Sequence, residues 1–493
     1  MFLNEFKFLL PEIYLFFVIV FLFVSCMLFD NYALFRSHKL DFVKIHINLA
    51  ILALVFLLFI IANLFGTEYL IFNGLLYGNL FTLVTKFSLT LVIISILAST
   101  AAYYRANFNG YEFILLFLVN LLAMFFMVSS SDFLSLFFSI ELLSLSVYIL
   151  TAYKRDSLLS TEAGLRYFIL SAFISSLLAF GISLVYFVYG STNFVTIKLI
   201  SASCGFELVE QNTVLFYGFI FILSAFLFKL SSFPFHFWTP DVYEGAPLPV
   251  TKFLATGPKL VIVSVLIKLL GDVFSLFQHY TFGLLLFSGI ATIVIGTLGG
   301  LFQVKVKRLL AYSTIANMGY ILIALALGTS AGYAAALLYT YVYVMLSLGL
   351  FSALLSVVSS TGHTIHDLSE LRLLHMKKFV SITFLFCLFS LAGIPPLAGF
   401  FSKFYLLYPL VSDGFYYLVM LIVLLSIVSA GYYMRLVNVV FFGTLDDCFV
   451  FLRKVSRISM YAISAVFLIN LSFVFLIRPV WFFMELLVQS IFF

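Results

Sequence analysis

Four ionisable side chains stand in stretches that are otherwise apolar. Glu141 lies in FLSLFFSIELLSLSVYIL, Lys229 in FILSAFLFKLSSFPF, Lys259 in FLATGPKLVIVSVLI and Lys403 in GIPPLAGFFSKFYLLYPL. Carboxylates and amines in such surroundings are suited to taking up and releasing protons. Arginine keeps its proton in a protein, whereas a lysine in a low-dielectric setting can lose it. A neighbouring carboxylate favours the charged form again. A carboxylate that moves toward or away from a row of lysines is therefore a proton relay, here through Glu141, Lys229, Lys259 and Lys403. A structural ion pair is the plainer use of Glu141 and one lysine, but three lysines against one carboxylate leave that pairing unbalanced.

Composition says what must position these groups. The chain has 493 residues, 64% hydrophobic and only 10% charged, with a mean hydropathy of +1.19. Soluble domains run at about 45–50% apolar and about 25% charged. Soluble, secreted and disordered classes are excluded, and an all-α integral membrane domain is expected. A charge at the centre of a bilayer costs about 2.5–3.5 kcal/mol on insertion scales, so four amount to roughly 10 kcal/mol. That is comparable with the net stability of a whole protein, about 5–15 kcal/mol, and such sites call for a function. The net charge of +5, with no basic run, gives no reason to expect nucleic acid as a partner. Cys26, Cys204, Cys387 and Cys448 are far apart with no CxxC spacing. Of the seven histidines only His46 and His236 lie near apolar runs. Metal, iron–sulfur and haem sites are not expected, and any redox chemistry belongs to another chain.

A spanning helix needs about 20 apolar residues. Such runs fall at 11–29, 45–65, 80–104, 111–128, 132–152, 164–189, 213–235, 248–271, 281–302, 308–328, 332–359, 379–411, 415–441 and 458–478, about fourteen spans by the hydropathy rule. The longest polar pieces are 190–212, 360–378 and 442–457, leaving no room for a second domain. The first run carries Glu12 at its head and lacks a cleavage site, so it reads as a helix rather than a signal peptide. Loops after odd-numbered runs carry Arg36, Lys39, Lys44, Arg105, Lys154, Arg155, Lys305, Lys307, Arg308, Arg372, Lys377, Lys378, Arg453, Lys454 and Arg457; those after even-numbered runs carry almost nothing beyond Lys198. The positive-inside rule puts the first set on the cytoplasmic or matrix side and both termini opposite.

Two runs are interrupted. Ser231, Ser232 and Pro234 follow Lys229, and Gly393-Ile-Pro-Pro-Leu-Ala-Gly399, with Pro395 and Pro396, divides the run 379–411. Prolines remove backbone donors and clash with the preceding turn. Matched broken helices mark transporters built from inverted repeats. The breaks are five spans apart, which predicts two inverted five-helix units, residues 111–271 and 281–441, after N-terminal helices in 1–105 and before a last helix and tail in 458–493. Arg166, at the head of the sixth run, is an auxiliary candidate or an interfacial anchor. Lys86 and Lys268 read as structural residues near span ends that snorkel to the interface.

The blocks LPEIYLFF (10–17), SSSDFLSLFFSIELLSLSVYIL (129–150), TEAGLRYFILSAFISSLLAFG (161–181), FKLSSFPFHFWTPDVYEGAPLPVTKFLATGPK (228–259), VKRLLAYSTIANMGY (306–320) and LAGIPPLAGFFSKFYLL (391–407) resemble the antiporter-like membrane subunits of respiratory complex I, NADH:ubiquinone oxidoreductase, in the form of subunit 2 and its bacterial and plastid counterparts. The resemblance implies a proton-pumping subunit of the membrane arm, partnered by other membrane-arm subunits and lipid. Flavin, iron–sulfur clusters and quinone would then belong to other chains. It implies a mitochondrial inner membrane, or a plastid thylakoid or bacterial plasma membrane. Glu141, Lys229, Lys259 and Lys403 match the family's key carboxylate and lysines, with Glu141 in contact with Lys229. Three positions depart: Arg166 where a Lys is common, Asn317 where many relatives have a His, and Pro258, which is expected to loosen the helix before Lys259. A stand-alone cation/proton antiporter, a purely structural scaffold and a quinone-binding chain are the rival readings.

Overall fold

A computed structural model describes residues 6–30, 39–107, 111–204, 209–358, 365–443 and 455–492. Arg36, His38, His363, Cys448, Arg453 and Lys454 lie outside the described residues. Apolar runs become helices because lipid offers no partner to a backbone N–H or C=O, and a helix satisfies both internally. In chain order these are α1 (Leu10–Asp30), α2 (Lys39–Ala62), α3 (Leu80–Asn107), α4 (Glu112–Ser129), α5 (Phe133–Thr151), α6 (Leu158–Tyr189), α7 (Phe194–Cys204), α8 (Val209–Leu230), α9 (Trp238–Gly245) and α10 (Leu248–Lys268). They continue as α11 (Gln278–Leu301), α12 (Val306–Ala326), α13 (Ser330–Ser356), α14 (Lys378–Ala392), α15 (Ala398–Ser412), α16 (Tyr416–Phe442) and α17 (Arg457–Phe492). An antiparallel hairpin, β1 (Tyr69–Ile71) and β2 (Leu76–Gly78), joins α2 to α3 with Tyr69 opposite Gly78.

Thirteen helices among the described residues are long and apolar enough to cross a membrane. The run 379–411 is instead divided into α14 and α15, so the fourteen expected runs correspond to thirteen continuous helices and one broken pair. Some boundaries differ. The piece 190–212 contains α7, and 360–378 contains a 3-10 helix over Ser369–Met376. The last run does not stop at 478: α17 has 36 residues and passes through Pro479. Its apolar content continues beyond Arg478, and its far end docks where Asn79 Nδ2 donates to the Ser490 carbonyl at 2.6 Å.

Every residue of α10 is buried, Pro258 included. A helix that is apolar nearly all round belongs in the interior, and α10 packs against α3, α4, α8 and α13. The expected loosening at Pro258 is not seen, since the helix runs unbroken from Leu248 to Lys268. Surrounding packing keeps it helical although proline supplies no N–H. Between α11 and α12 the backbones nearly touch. A Cβ on Gly319 would lie 2.7 Å from the Gly289 carbonyl oxygen, and one on Gly296 would meet the Ala316 backbone. Small residues permit that approach in membranes, and it fixes the rotation of α12.

Both interruptions are present. After α8, Ser231 takes a left-handed φ of 66° and the Phe233–Pro234 bond is cis. After α14, Gly393 takes φ 92° and the Pro395–Pro396 bond is cis.

Candidate proton-transfer site

The start of α5 is fixed by Asp132, which accepts from the Leu134 N–H at 2.7 Å and from Thr192 Oγ1 at 2.8 Å. This N-cap satisfies a helix-end donor and sets Glu141 just over two turns into the helix. Glu141 is half-buried. Its Oε2 accepts from Ser144 Oγ at 3.3 Å, while its Oε1 is buried with no hydrogen-bond partner. On the last turn of α8, the buried Lys229 donates from Nζ to Ser171 Oγ of α6 at 2.8 Å, with the Tyr167 ring 5.8 Å away. The expected direct contact between Glu141 and Lys229 is therefore not made, and among the described residues no salt bridge joins them. Ser171 takes the ammonium instead. Tyr148 lies beside both Ser144 and Ser171, so hydroxyl groups stand between the carboxylate and the amine without a hydrogen-bonded chain joining them among the described residues.

Lys259 reaches from α10 to the first break. Its Nζ donates to the Lys229 carbonyl at 2.8 Å and to Ser231 Oγ. Two more last-turn carbonyls of α8 are satisfied nearby: Trp238 Nε1 donates to the Phe228 carbonyl at 3.0 Å and Ser232 Oγ to that of Leu227 at 2.8 Å. Lys403, on α15, serves the second break in the same way. Its Nζ donates to the Leu391 and Ala392 carbonyls at 3.0 Å each. A helix C-terminus carries partial negative charge and unpaired carbonyls. Each break thus offers an ammonium group a seat in apolar surroundings without a carboxylate.

Asn470 of α17 braces the second break. Its Oδ1 accepts from Ser390 Oγ at 3.1 Å and from the Ala398 N–H at 3.2 Å, and its Nδ2 donates to the Phe386 carbonyl at 3.3 Å. Ser390 Oγ in turn accepts from the Gly399 N–H at 2.8 Å. A Cβ on Gly399 would overlap the Ser390 carbonyl, so only glycine fits there. Asn317 and Lys403 line one small cavity; Asn317 Nδ2 donates to the Ser313 carbonyl at 2.7 Å and its Oδ1 accepts from Tyr339 Oη at 2.7 Å.

Lys229 and Lys259 are thus brought together through one carbonyl, and Glu141 makes no hydrogen bond to either among the described residues. No hydrogen bond or salt bridge among the described residues joins Lys403 to these three. Pro234, Pro395 and Pro396 sit in the breaks. Arg166 stands apart. It is exposed and pairs with Glu162 and Asp241 at 2.5 Å each, in a cleft of about 170 Å³ that Glu244 and Arg308 also line.

Lys86 and Lys268 do not snorkel. Lys86 is buried in an ion pair with Glu12 at 2.5 Å, and Lys268 is buried on the Val128 carbonyl. Both turn inward to a buried acceptor, the Glu12 carboxylate for Lys86 and the Val128 carbonyl for Lys268. Two buried lysines escape a reading based on run centres. Lys252 donates to the Ser95 carbonyl at 3.0 Å and Ser99 Oγ at 2.8 Å, and Lys307 to the Ala246 carbonyl at 2.8 Å. The signal for Lys252 was its spacing of seven from Lys259, two turns along a helix without a polar face. Among the described residues no three His, Cys, Asp or Glu side chains converge as a metal site would require.

Residues 130–429 match the family described as NADH:quinone oxidoreductase/Mrp antiporter, TM. NADH-ubiquinone oxidoreductase chain 2 of Marchantia polymorpha is 36% identical over 453 residues, which is 90% of this chain and 90% of that one. NADH-quinone oxidoreductase subunit N of Parvibaculum lavamentivorans is 36% identical over 398 residues, covering 79% and 81%. A chain of respiratory complex I from Thermus thermophilus superposes with a TM-score of 0.78 at 25% identity, over 96% of this chain and 98% of that one. The match spans the broken helices and all four membrane charges, and the chain belongs to the NADH:quinone oxidoreductase/Mrp antiporter family of membrane subunits.

Proposed function

We propose that this chain is the antiporter-like, proton-translocating subunit of the membrane arm of respiratory complex I, coupling NADH oxidation and ubiquinone reduction in other subunits to proton movement. It holds no redox centre; flavin, iron–sulfur clusters and quinone belong to partner chains. Its partners are other membrane-arm subunits, including antiporter-like ones, and lipid. It lies in the mitochondrial inner membrane, with both termini on the intermembrane-space side. The helices α4–α10 and α11–α16 are two inverted units.

The observation that carries this reading is the seating of Lys259 and Lys403 on the carbonyls of the two broken helices. These are ammonium sites that need no counter-carboxylate, so either amine can be charged or neutral without breaking an ion pair. At the first break, a change in the charge or position of Glu141 reaches Lys229 through Ser144, Tyr148 and Ser171. Lys229 then gives its proton toward Lys259, whose Nζ already touches the Lys229 carbonyl. Lys403 receives on the other half. Each transfer turns one ammonium into an amine and one amine into an ammonium. Arg166 holds the surface of α6 against α9, keeps its proton and so relays none.

The test is proton uptake and NADH:quinone reductase activity of the assembled complex in sealed vesicles, with Glu141→Gln and Lys229→Met. Both variants lose coupled pumping while assembling normally; normal pumping in both would overturn the assignment. The second reading, a stand-alone cation/proton antiporter, is favoured only by the Mrp side of the family. It predicts Na⁺/H⁺ exchange by the purified chain in liposomes without NADH.

A further inference from the structure

Two buried amines at one end of the molecule take no part in the relay: Lys86 of α3 and Lys268 of α10. Both converge on the last turn of α4. Lys86 Nζ lies 5.9 Å from the Phe125 ring, and Lys268 Nζ donates to the Val128 carbonyl on the same turn. The neighbouring carbonyls of α4 are already taken. That of Phe125 accepts from Ser129 Oγ at 2.8 Å, that of Phe126 from the Ser130 N–H at 2.9 Å and that of Met127 from Ser130 Oγ at 2.8 Å. Lys268 is thus seated on a helix C-terminus, as Lys259 and Lys403 are, and among the described residues it makes no ion pair.

One carboxylate, Glu12, serves the two amines. Its Oε1 holds Lys86, and its Oε2 is buried with no partner. A pair that only joins α1 to α3 needs no second lysine beside it, and an uncompensated buried charge is costly. Lys268, with no carboxylate of its own, is the amine that gains or loses a proton without breaking an ion pair.

The site lies close to water, on the face opposite the loop of Lys305 and Lys307. The turn after α4 is fastened to the hairpin there: Ser131 Oγ and Asn193 Nδ2 donate to the Gly74 carbonyl at 2.7 and 2.8 Å. The helix of Lys268 continues for one more turn, Leu269–Val273, on which Asp272 pairs with Lys198 of α7 at 2.7 Å, with side chains 22% and 46% exposed. The charged groups around Lys268 are therefore Lys86, held by Glu12, and Asp272, held by Lys198, while α4 presents the apolar Phe125 and Val128.

We propose that Lys268 is a proton-binding site in exchange with this outer face, and that its charge sets how readily Lys259 loads. This rests on the reading that Lys259 carries protons. Lys268 as amine takes a proton from hydronium at that face and leaves water; release reverses the step. The two lysines stand nine residues apart on α10. That is about 13.5 Å along the axis and on opposite sides of the helix, so their amines are about 18 Å apart. At an effective dielectric of about 20, an ammonium at Lys268 weakens protonation of Lys259 about fivefold. Acid on the outer face thereby holds back loading at the first break, with no proton passing between the two groups.

The assembled complex in sealed vesicles tests this. The compartment that receives protons is set acid or alkaline by an entrapped buffer, with the pH of the other side fixed. The readout is the initial rate of coupled proton uptake per assembled complex. Lys268→Met removes the charge, whereas Lys268→Arg keeps the charge and the donor but never gives up its proton. In an alkaline compartment wild type matches Lys268→Met, and Lys268→Arg is slower by as much as about fivefold. In an acid compartment wild type falls to the Lys268→Arg rate, and Lys268→Met keeps its lead. Lys268→Arg matching wild type at both settings makes the amine purely structural and overturns the proposal, as does Lys268→Met slowing in acid as much as wild type. Should Lys268→Arg not assemble, Lys252→Met decides. It removes another buried amine of α10, seated on Ser95 and Ser99 of α3, and a response to acid as flat as that of Lys268→Met overturns the site. Should Lys268→Met not assemble, Lys268→Arg against wild type decides. Lys259→Met separates the two failures: if it pumps normally, the lysine reading itself is wrong.

Discussion

The buried pair Glu12–Lys86 gives a sharp energetic prediction. Its N···O separation is 2.5 Å, and the two side chains are only 4% and 1% exposed. At an effective dielectric of about 20 that separation gives roughly 7 kcal/mol of attraction, most of it offset by desolvation. Glu12→Gln keeps the shape and deletes the charge, leaving Lys86 with Tyr69 Oη at 3.4 Å as its remaining polar contact. An uncompensated buried charge costs about 3–5 kcal/mol, two to three and a half decades in a rate or equilibrium. The assay is the thermal inactivation half-life of the assembled complex, read as loss of intact complex at fixed temperature. The half-life of the Glu12→Gln variant shortens by a large part of that factor. Adding Lys86→Met removes the stranded charge and restores most of it, because apolar replacement of a whole buried pair is close to neutral. A single variant within twofold of wild type, or a double variant no better than the single, refutes the reasoning.

Other predictions follow from the same structure. Gly399→Ala drives a methyl into the Ser390 carbonyl and costs about 1–3 kcal/mol, the range for overpacking; less assembled complex per mole of expressed chain reports it. Asn470→Leu leaves the Ala398 N–H without its acceptor and loosens the second break, so hydrogen exchange over residues 393–400 accelerates while that over 231–238 does not. At Lys377, outside the spanning helices, burial lowers the amine from 10.5 to about 8. The folded chain therefore binds fewer protons than the unfolded one between those values, and its stability rises as pH climbs from about 8 to 10.5. Acylation of Lys377 at pH 8, followed by mass spectrometry, is correspondingly faster than at a lysine of ordinary basicity.

The spans were legible because crossing a bilayer demands about 20 apolar residues, and the two breaks because each groups its proline with serines or glycines; single prolines such as Pro258 and Pro479 stay inside unbroken helices. Glu141, Lys229, Lys259 and Lys403 showed themselves by the cost of their location. What hydropathy does not carry is rotation about the helix axis. Lys86 and Lys268 lie close enough to helix ends to suggest water, yet both face inward to Glu12 and the Val128 carbonyl. Lys307 belonged by position to a loop, and its amine turns back to the Ala246 carbonyl. The step from Glu141 to Lys229 was read as a contact, whereas Ser171 on the intervening helix takes the ammonium.

The last helix has a use that its composition does not announce. At 36 residues it extends about 54 Å, against an apolar layer of about 30 Å. It is anchored by Asn470 to the Ser390–Ala398 gap and by Ser490 to Asn79 at the threshold of α3. Such a rod is a strut: it ties the flank that holds α3 to the hinge that seats Lys403. Lengthening or trimming the strut, with every titratable group left in place, is a way to detune the second half mechanically.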